Sequence, residues 1–357
     1  MENLELFFII PLISFILLFI LANPVRKIAK RLNLVDNPGV RKIHNNKIPL
    51  VGGILIFVSS GLSLIITSEF SNVAEMYSVL VIGSLILLFL GIIDDKYDLR
   101  SLFKLTVQIA LAHYAFINGI RIESMFGIFG YYNISFAFQY ALTLVIIVGV
   151  MNAYNLMDGI DGLSSGLTII GLTAYTIISI ILGLHTLTIL FLAVLGSLFA
   201  FIRFNFSKKN KIFMGDAGSL VLGFLIVISG ISLIQAANNT VYIKPAMAVV
   251  LGVLALPVGD SLRVYRRRMK AGYSPFRADR SHFHHLILYF GVSHKKASFV
   301  IVLVSIVILS VSVIFGTYYN LTYGVISMLL VFLIASKIVA LNYQLIYWSE
   351  KIKKMEI

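Results

Sequence analysis

The stretch KIFMGDAGSLVLGFLIVISGISLIQA, residues 211–236, indicates the fold of this chain most directly. After Asp216 it continues through 217–236 without a charged side chain. A helix needs about 20 predominantly apolar residues to cross the hydrocarbon core of a bilayer. We therefore predict a membrane-spanning helix that begins next to an aspartate.

The rest of the chain has the same apolar character. Of its 357 residues, 59% are hydrophobic and 13% are charged, and the mean hydropathy is +0.95. Soluble domains carry about 25% charged residues. Eleven stretches are long enough, or nearly so, to cross a bilayer; they fall near 6–22, 50–67, 76–93, 103–119, 136–151, 163–182, 185–204, 217–236, 245–262, 297–315 and 321–340. We expect an all-α polytopic membrane protein with one integral domain over residues 1–357.

The first apolar stretch bears on whether the chain has a removable signal peptide, and the absence of cysteine limits the kinds of site it can form. No basic region precedes 6–22 and no small-residue cleavage site follows it, so we expect an anchor rather than a removable signal peptide. The chain contains no cysteine, which excludes disulfides, thiolate nucleophiles and cysteine-ligated metals. Any metal must be held by oxygen or imidazole.

Lysine and arginine are unevenly distributed over the loops. Of the 29, all but Arg121 and Lys244 lie on one side of the predicted membrane. By the positive-inside rule the basic side is cytoplasmic, which places the amino terminus outside and the carboxyl terminus inside. Attraction to anionic lipid headgroups accounts for most of the net charge of +13, so nucleic acid is not an expected partner.

Every aspartate also lies on the basic side, and two are adjacent. The segment GIIDDKYD, 91–98, ends a predicted span with Asp94 and Asp95. Two neighbouring carboxylates raise each other's proton affinity unless a cation compensates them. A solvated helix end is one interpretation; a Mg²⁺ or lipid-phosphate site, or a general base, is the other.

A second acidic loop, MNAYNLMDGIDGL at 151–163, combines amides and carboxylates. Asn152 and Asn155 are three residues apart, as are Asp158 and Asp161, so each pair shares a face of a helical turn. The two glycines of this loop allow backbone to approach a ligand closely. The helix that follows would favour an anionic group at its amino terminus. We expect a ligand site here rather than a plain connection.

The third loop, 204–219, ends in Phe213-Met-Gly-Asp216-x-Gly-Ser. Asp216 could cap the helix that follows. Alongside two other acidic loops, however, ligation of Mg²⁺ is the better interpretation, because this cation prefers one or two carboxylates with phosphate oxygens and water. Phe213 could stack on a nucleotide base or anchor the chain at the membrane interface.

The longest loop carries three of the seven histidines, at His282, His284 and His285, beside several arginines. Zinc ligation is one interpretation of such a cluster, but zinc sites usually add cysteine or carboxylate ligands. Contact with a phosphate suits histidines beside arginines better.

Together these four motifs resemble the polyprenyl-phosphate N-acetylhexosamine-1-phosphate transferases over nearly the whole chain. The signatures are Asp94-Asp95 after a glycine, Asn152-x-x-Asn155-x-x-Asp158-Gly-x-Asp161-Gly-Leu, Phe213-Met-Gly-Asp216-x-Gly-Ser and His282-x-His284-His285, in the family's order. The resemblance implies transfer of a sugar 1-phosphate from a UDP-sugar to a polyprenyl phosphate, with release of UMP. The lipid phosphate attacks the β-phosphate, and catalysis rests on positioning and charge neutralisation.

The resemblance also implies residue roles. The implied catalytic residues are Asp94, Asp95 and Asp216. The implied ligands of Mg²⁺, with Mn²⁺ as an alternative, are Asp216 and Asn155. The implied substrate-binding residues are Lys47, Asn152, Asn155, Asp158, Asp161, Asn205, Phe213, Gly215, Arg277, Arg280, His282, His284 and His285. Within these sets, Asp94 and Asp95 correspond to the lipid phosphate, Asp158, Asp161 and Phe213 to uridine, and the histidines to the diphosphate and sugar.

The segment SPFRADR at 274–280 is similar to the branch that uses UDP-GlcNAc and undecaprenyl phosphate in the bacterial inner membrane, and relatives suggest a homodimer. The peptidoglycan branch, which uses UDP-MurNAc-pentapeptide, has three consecutive histidines, whereas Phe283 interrupts them here. A transporter would place its carboxylates near the bilayer midplane on broken helices, a pattern not found in this sequence. A scaffolding protein would not need ordered Asn, Asp, Phe and His motifs.

Overall fold

The computed structural model describes residues 2–36, 47–274 and 281–355. Its helices are α1 (Glu2–Arg31), α2 (Gly52–Ile66), α3 (Phe70–Met76), α4 (Ser78–Tyr97), α5 (Ser101–Ile117), α6 (Phe136–Met157), α7 (Leu163–Ile181), α8 (His185–Asn205), α9 (Asp216–Ala237), α10 (Ile243–Lys270), α11 (Phe283–Leu288), α12 (His294–Tyr318) and α13 (Leu321–Met355). Two short antiparallel pairs join β1 (Val35–Asp36) to β2 (Ile48–Pro49) and β3 (Ser124–Ile128) to β4 (Tyr131–Asn133).

Each of the eleven predicted stretches lies in a helix. Within the described ranges, nine helices are long and apolar enough to cross a membrane. The predicted count of eleven also includes α2 and α5, which have 15 and 17 residues, fewer than the roughly 20 that typically cross a bilayer core. The α2 and α3 helices qualify only as one span, bent by 112°.

The outer helices present apolar side chains to their surroundings. Phe8 on α1, Phe89 on α4 and Phe299 on α12 are each more than half exposed. Such a surface is unfavourable in water but matches the hydrocarbon of a bilayer. The prediction of an all-α polytopic membrane protein is confirmed at this level.

The α9 helix lies at the centre of the bundle and packs against α2, α4, α6, α7 and α10. Nearly all of its residues are buried, as expected for a helix that is apolar on every face. Asp216 is its first residue. The polar start of the most buried helix is therefore surrounded by the ends of its neighbours.

Two glycines permit the closest of these contacts. A Cβ on Gly91 of α4 would lie 2.2 Å from the Ala217 Cα, and one on Gly53 of α2 would lie 2.2 Å from the Gly218 backbone nitrogen. Non-bonded carbon atoms need about 3.5–4.0 Å. Helices α2 and α4 therefore reach the first turn of α9 only because these positions lack a side chain.

Candidate functional site

The end of α4 is bonded directly to the start of α9. The Asp95 carboxylate accepts hydrogen bonds from the backbone nitrogens of Asp216, at 2.9 Å, and Ala217, at 3.4 Å. N–H groups of the first helical turn have no partner within their own helix and favour a negative charge nearby. Gly215 precedes them with a φ of +74°, and a Cβ there would meet the Asp95 carboxylate. Asp95 and Gly215 thus fix the position of Asp216.

Asp94, next in the chain to Asp95, faces a different partner. Its buried carboxylate accepts hydrogen bonds from Lys104 Nζ at 2.6 Å and from the Leu99 backbone nitrogen at 2.8 Å. The same Lys104 Nζ lies 3.5 Å from Asp216 Oδ2. The Asp216 side chain is 36% exposed and that of Asp94 only 2%. One lysine therefore links a buried carboxylate to an accessible one.

The two predicted asparagines attach the end of α6 to neighbouring helices. Asn152 Nδ2 donates to Gln108 Oε1 of α5 at 2.6 Å and to the Val148 carbonyl at 2.8 Å. Asn155 Nδ2 lies 3.3 Å from Ser219 Oγ, one turn into α9 from Asp216. Asn155 is therefore next to Asp216, as its predicted role requires.

The carboxylates of the second loop lie within electrostatic reach of the others. Burial raises the pKa of Asp158 well above its ordinary value, and the negative charges of Asp216, Asp95 and Asp161 raise it further. Such mutual repulsion is relieved when a cation binds among the carboxylates. The structure thus brings carboxylates of all three predicted acidic loops, Asp94, Asp95, Asp158 and Asp216, to the start of α9.

The side chains near the start of α9 are suited to a cation that also binds phosphate oxygens of a substrate. Within the described residues, no three His, Asp or Glu side chains are close enough to hold a metal by themselves. Zinc needs such a set, whereas Mg²⁺ takes one or two protein carboxylates and completes its shell with phosphate oxygens and water. An accessible Asp216 beside Asn155 meets the second requirement.

Asp161 connects the second loop to the third. Its carboxylate lies 2.6 Å from Lys211 Nζ and 3.4 Å from His294 Nδ1. Although burial opposes ionisation, these two partners hold the pKa of Asp161 below its ordinary value. Lys211 Nζ also lies 5.1 Å from the centre of the Phe213 ring, a cation–π distance. Two of the residues predicted to contact uridine, Asp161 and Phe213, therefore form one cluster with Lys211.

Asn205 and Lys47 have different surroundings. The buried Asn205 side chain accepts from the Gly162 nitrogen at 2.6 Å and donates to the Ile212 carbonyl at 2.9 Å, so it joins two loops. Lys47 is exposed and immediately precedes β2. Backbone hydrogen bonds link Pro49 and Gly52, just after it, to Phe213. Asn205 supports the site, whereas Lys47 lies at its edge.

The histidine motif packs against the second loop. Burial lowers the pKa of His284 to about 3, and the neighbouring His285 lowers it too. Its ring lies directly against Gly159, where a Cβ would be 2.3 Å from Nε2. The His285 ring is 4.2 Å from that of His284. Arg277 and Arg280 lie outside the described residues.

His282 donates from Nδ1 to Asp260 Oδ2 at 2.9 Å. Sequence reasoning missed the importance of Asp260, as it missed Lys104, Lys211 and His294. Their only sequence signal is a charge near a helix end. That signal is shared by other charged residues at helix ends, such as Lys30, Arg31 and Lys270.

The chain matches the family model of glycosyl transferase family 4 over residues 77–234. An undecaprenyl-phosphate alpha-N-acetylglucosaminyl 1-phosphate transferase from Escherichia coli K12 is 33% identical over 293 residues, which cover 81% of this chain and 78% of the relative. Proteins of the same name from Yersinia pestis and Salmonella typhi are 33% and 31% identical, each over 81% of this chain and 79% and 78% of their own. These matches confirm the resemblance inferred from the four motifs: the chain belongs to glycosyl transferase family 4.

Proposed function

We propose that this protein transfers N-acetylglucosamine 1-phosphate from UDP-GlcNAc to undecaprenyl phosphate, forming undecaprenyl-diphospho-GlcNAc and UMP. The observation that carries the proposal is Lys104, held between Asp94 and the accessible Asp216 at the start of the central helix. A fixed cation beside an accessible carboxylate is suited to holding phosphates for transfer. The relatives compared above are named as undecaprenyl-phosphate alpha-N-acetylglucosaminyl 1-phosphate transferases, which agrees with the proposed acceptor and transferred group.

In the proposed reaction, an oxygen of the lipid phosphate attacks the β-phosphorus of the donor. A new P–O bond forms, and the bond from that phosphorus to the bridging oxygen breaks, so the oxygen and its electron pair leave with UMP. The attacking oxygen is already ionised near neutral pH, so no base is required. Asp94 instead orients Lys104, whose charge would attract the lipid phosphate.

An apolar groove supports the choice of a lipid acceptor. It lies between α4 and α5, has a volume of about 430 Å³ and is lined by Ile82, Ile86, Thr106, Val107, Ala110, Leu111 and Tyr114. Val107, which lines the groove, is three residues after Lys104, so both side chains lie on the same face of α5. A hydrocarbon chain in the groove could therefore place its phosphate beside Lys104.

On the donor side, Asp216 and Asn155 would hold Mg²⁺, with Mn²⁺ as the alternative. The cation would neutralise negative charge on the diphosphate. Asp158, Asp161 and Phe213 would contact the uridine. The three histidines, with Lys47, Arg277 and Arg280, would face the diphosphate and sugar. Because Phe283 separates the histidines, UDP-GlcNAc is proposed over UDP-MurNAc-pentapeptide.

The proposal also includes the orientation of the protein in its membrane, its oligomeric state and the use of its product. The site would face the cytoplasm from the bacterial inner membrane, with the amino terminus outside, because 27 of the 29 lysines and arginines lie on the site's side. All eleven apolar helices would be embedded, including the short α2 and α5, in a homodimer. The product would start a cell-surface polysaccharide such as O-antigen, common antigen or teichoic acid.

The test uses purified protein with UDP-GlcNAc, undecaprenyl phosphate and Mg²⁺, measuring UMP and lipid-linked sugar together. Asp216→Asn should lower the rate roughly 100-fold or more, the usual effect of losing one electrostatic group in a site. The matched control is Asp98→Asn, an exposed aspartate that ends α4. Asn tolerates its left-handed backbone, so this variant should keep the wild-type rate.

Parallel reactions with UDP-GalNAc and UDP-MurNAc-pentapeptide identify the sugar. The proposal is wrong if wild-type protein releases no UMP from any UDP-hexosamine. It is also wrong if Asp216→Asn retains the full rate.

A further inference from the structure

Asp260, on the cytoplasmic half of α10 in the proposed orientation, is a fully buried carboxylate with several donors. Oδ1 accepts from Arg263 Nη2 at 2.6 Å, and Oδ2 accepts from His282 Nδ1 at 2.9 Å. The backbone nitrogen of Phe283 lies 3.2 Å from both oxygens. A carboxylate is rarely buried in a protein unless such partners compensate its charge.

The contact with Asp260 determines which nitrogen of His282 remains available. Since Nδ1 donates to the carboxylate, Nε2 is the only ring nitrogen left for another partner. The side chain is 96% buried, and among the described residues Nε2 has no hydrogen-bond partner. An imidazole nitrogen kept from water without a partner costs free energy unless a ligand fills that position.

The unpaired nitrogen belongs to a ring in the proposed donor site. The ring of His282 lies parallel to that of His284, with centres 5.9 Å apart and an angle of 7° between the planes. His284 in turn lies against Gly159 of the second acidic loop. Two stacked imidazoles thus extend from Asp260 to the loop proposed to hold the nucleotide.

We propose that Asp260 is a positioning residue that fixes the His282 ring so that Nε2 contacts the donor's diphosphate or sugar. This inference rests on the proposed function. It extends that function by assigning a role to a carboxylate outside the four motifs. Carboxylate–imidazole pairs orient metal-binding histidines in other proteins, where loss of the carboxylate typically costs about 10- to 100-fold in metal affinity or activity.

The experiment compares Asp260→Asn, His282→Ala and the double variant in the UMP-release assay. Asp260→Asn should lower kcat/KM for UDP-GlcNAc about 10- to 100-fold, while KM for undecaprenyl phosphate changes less than about twofold. In the His282→Ala background, Asp260→Asn should have no further effect beyond about twofold, because both act through one contact. Additive losses, or a full rate in Asp260→Asn, would overturn the proposal.

Arg263→Gln is the matched control for a purely structural role. Arg263 bonds both Asp260 and the Ser281 carbonyl, at 2.6 Å each, without touching His282 in the described contacts. Its loss should lower Tm but keep kcat/KM within about threefold. If Arg263→Gln loses as much kcat/KM as Asp260→Asn, anchoring of the segment explains the effect and the positioning role is wrong.

A measurement on the wild-type protein does not depend on a folded Asp260 variant. In ¹⁵N-histidine NMR, with His282 identified by comparison with His282→Gln, Nδ1 should carry a proton whether Nε2 does or not. A ring protonated at Nε2 alone would overturn the inference. If the wild type proves inactive with every donor, the proposed function fails, while this spectrum still decides the Asp260 contact.

Discussion

Gly91→Ala should separate the helices that assemble the site. The added Cβ would lie 2.2 Å from the Cα and 2.3 Å from the backbone nitrogen of Ala217, neither of which can move as a flexible side chain could. Restoring a contact of about 3.5 Å requires a shift of more than about 1 Å between α4 and α9. The bond from the Asp216 nitrogen to Asp95, now 2.9 Å, would be lengthened beyond hydrogen-bond distance.

Two effects follow from this displacement. Overpacking typically costs about 1–3 kcal/mol, which should lower Tm by several degrees. A misplacement of about 1 Å in a site can cost about 100-fold in rate. We expect kcat for UMP release to fall by that order, with protein that still elutes as a single species in size-exclusion chromatography.

Gly149→Ala is the matched control, since this helical glycine of α6 has open space where a Cβ would be added. It should keep the wild-type rate, and its Tm should be equal or slightly higher because alanine favours the helix. The reasoning is refuted if Gly91→Ala keeps more than half of the wild-type kcat with an unchanged Tm, or if Gly149→Ala is equally damaged.

Three further outcomes are expected. Asn205→Leu should lower the free energy of unfolding by about 2–4 kcal/mol, because two buried backbone groups lose their partners. A thermal-unfolding midpoint within about 1–2 °C of wild type, roughly the scatter of such a measurement, would contradict this. Ala110→Trp should raise KM for undecaprenyl phosphate several-fold by filling the apolar groove. Ile109→Trp should not, because Ile109 is exposed and does not line the groove; equal effects would exclude the groove as the acceptor site. Asp158→Asn should raise Tm at pH 7.5 while reducing activity. The pKa of Asp158 is raised in the folded state. The free energy of unfolding of the wild type therefore falls as the pH rises above about 4, the ordinary pKa of an aspartate. The gain in Tm from Asp158→Asn should become smaller as the pH is lowered toward about 4.

The helices were predictable because the relevant property is local. A run of apolar residues reports its own length and hydropathy, and all eleven runs are helical. The lengths of α2 and α5 were less predictable. Where a helix ends depends on turns and neighbours, as the 112° bend after α2 illustrates.

The family could also be inferred from the sequence, because four motifs in order carry more information than any one of them. Their convergence was expected and is largely observed, with Asp216, Asn155 and the second acidic loop around the start of α9. The individual roles were not predictable from residue type. The family resemblance implies substrate binding by Asn205, yet its amide bonds two backbone groups.

Asp94 and Asp95 show most clearly that residue type and sequence position do not determine the role of a side chain. They are adjacent and chemically identical, so the sequence predicts one shared role. On a helix, consecutive side chains point about 100° apart, so Asp94 meets Lys104 of α5 while Asp95 meets the backbone of α9, 121 residues away.

The sequence by itself determined that this chain is a membrane-embedded helical protein with a carboxylate-rich site on its basic side. Hydrophobic length and charge asymmetry act along the chain and need no knowledge of packing. Only the tertiary structure decided which carboxylate meets the lysine, which caps the central helix and which, at Asp260, holds a histidine. Those partners are set by how helices distant in sequence pack against one another.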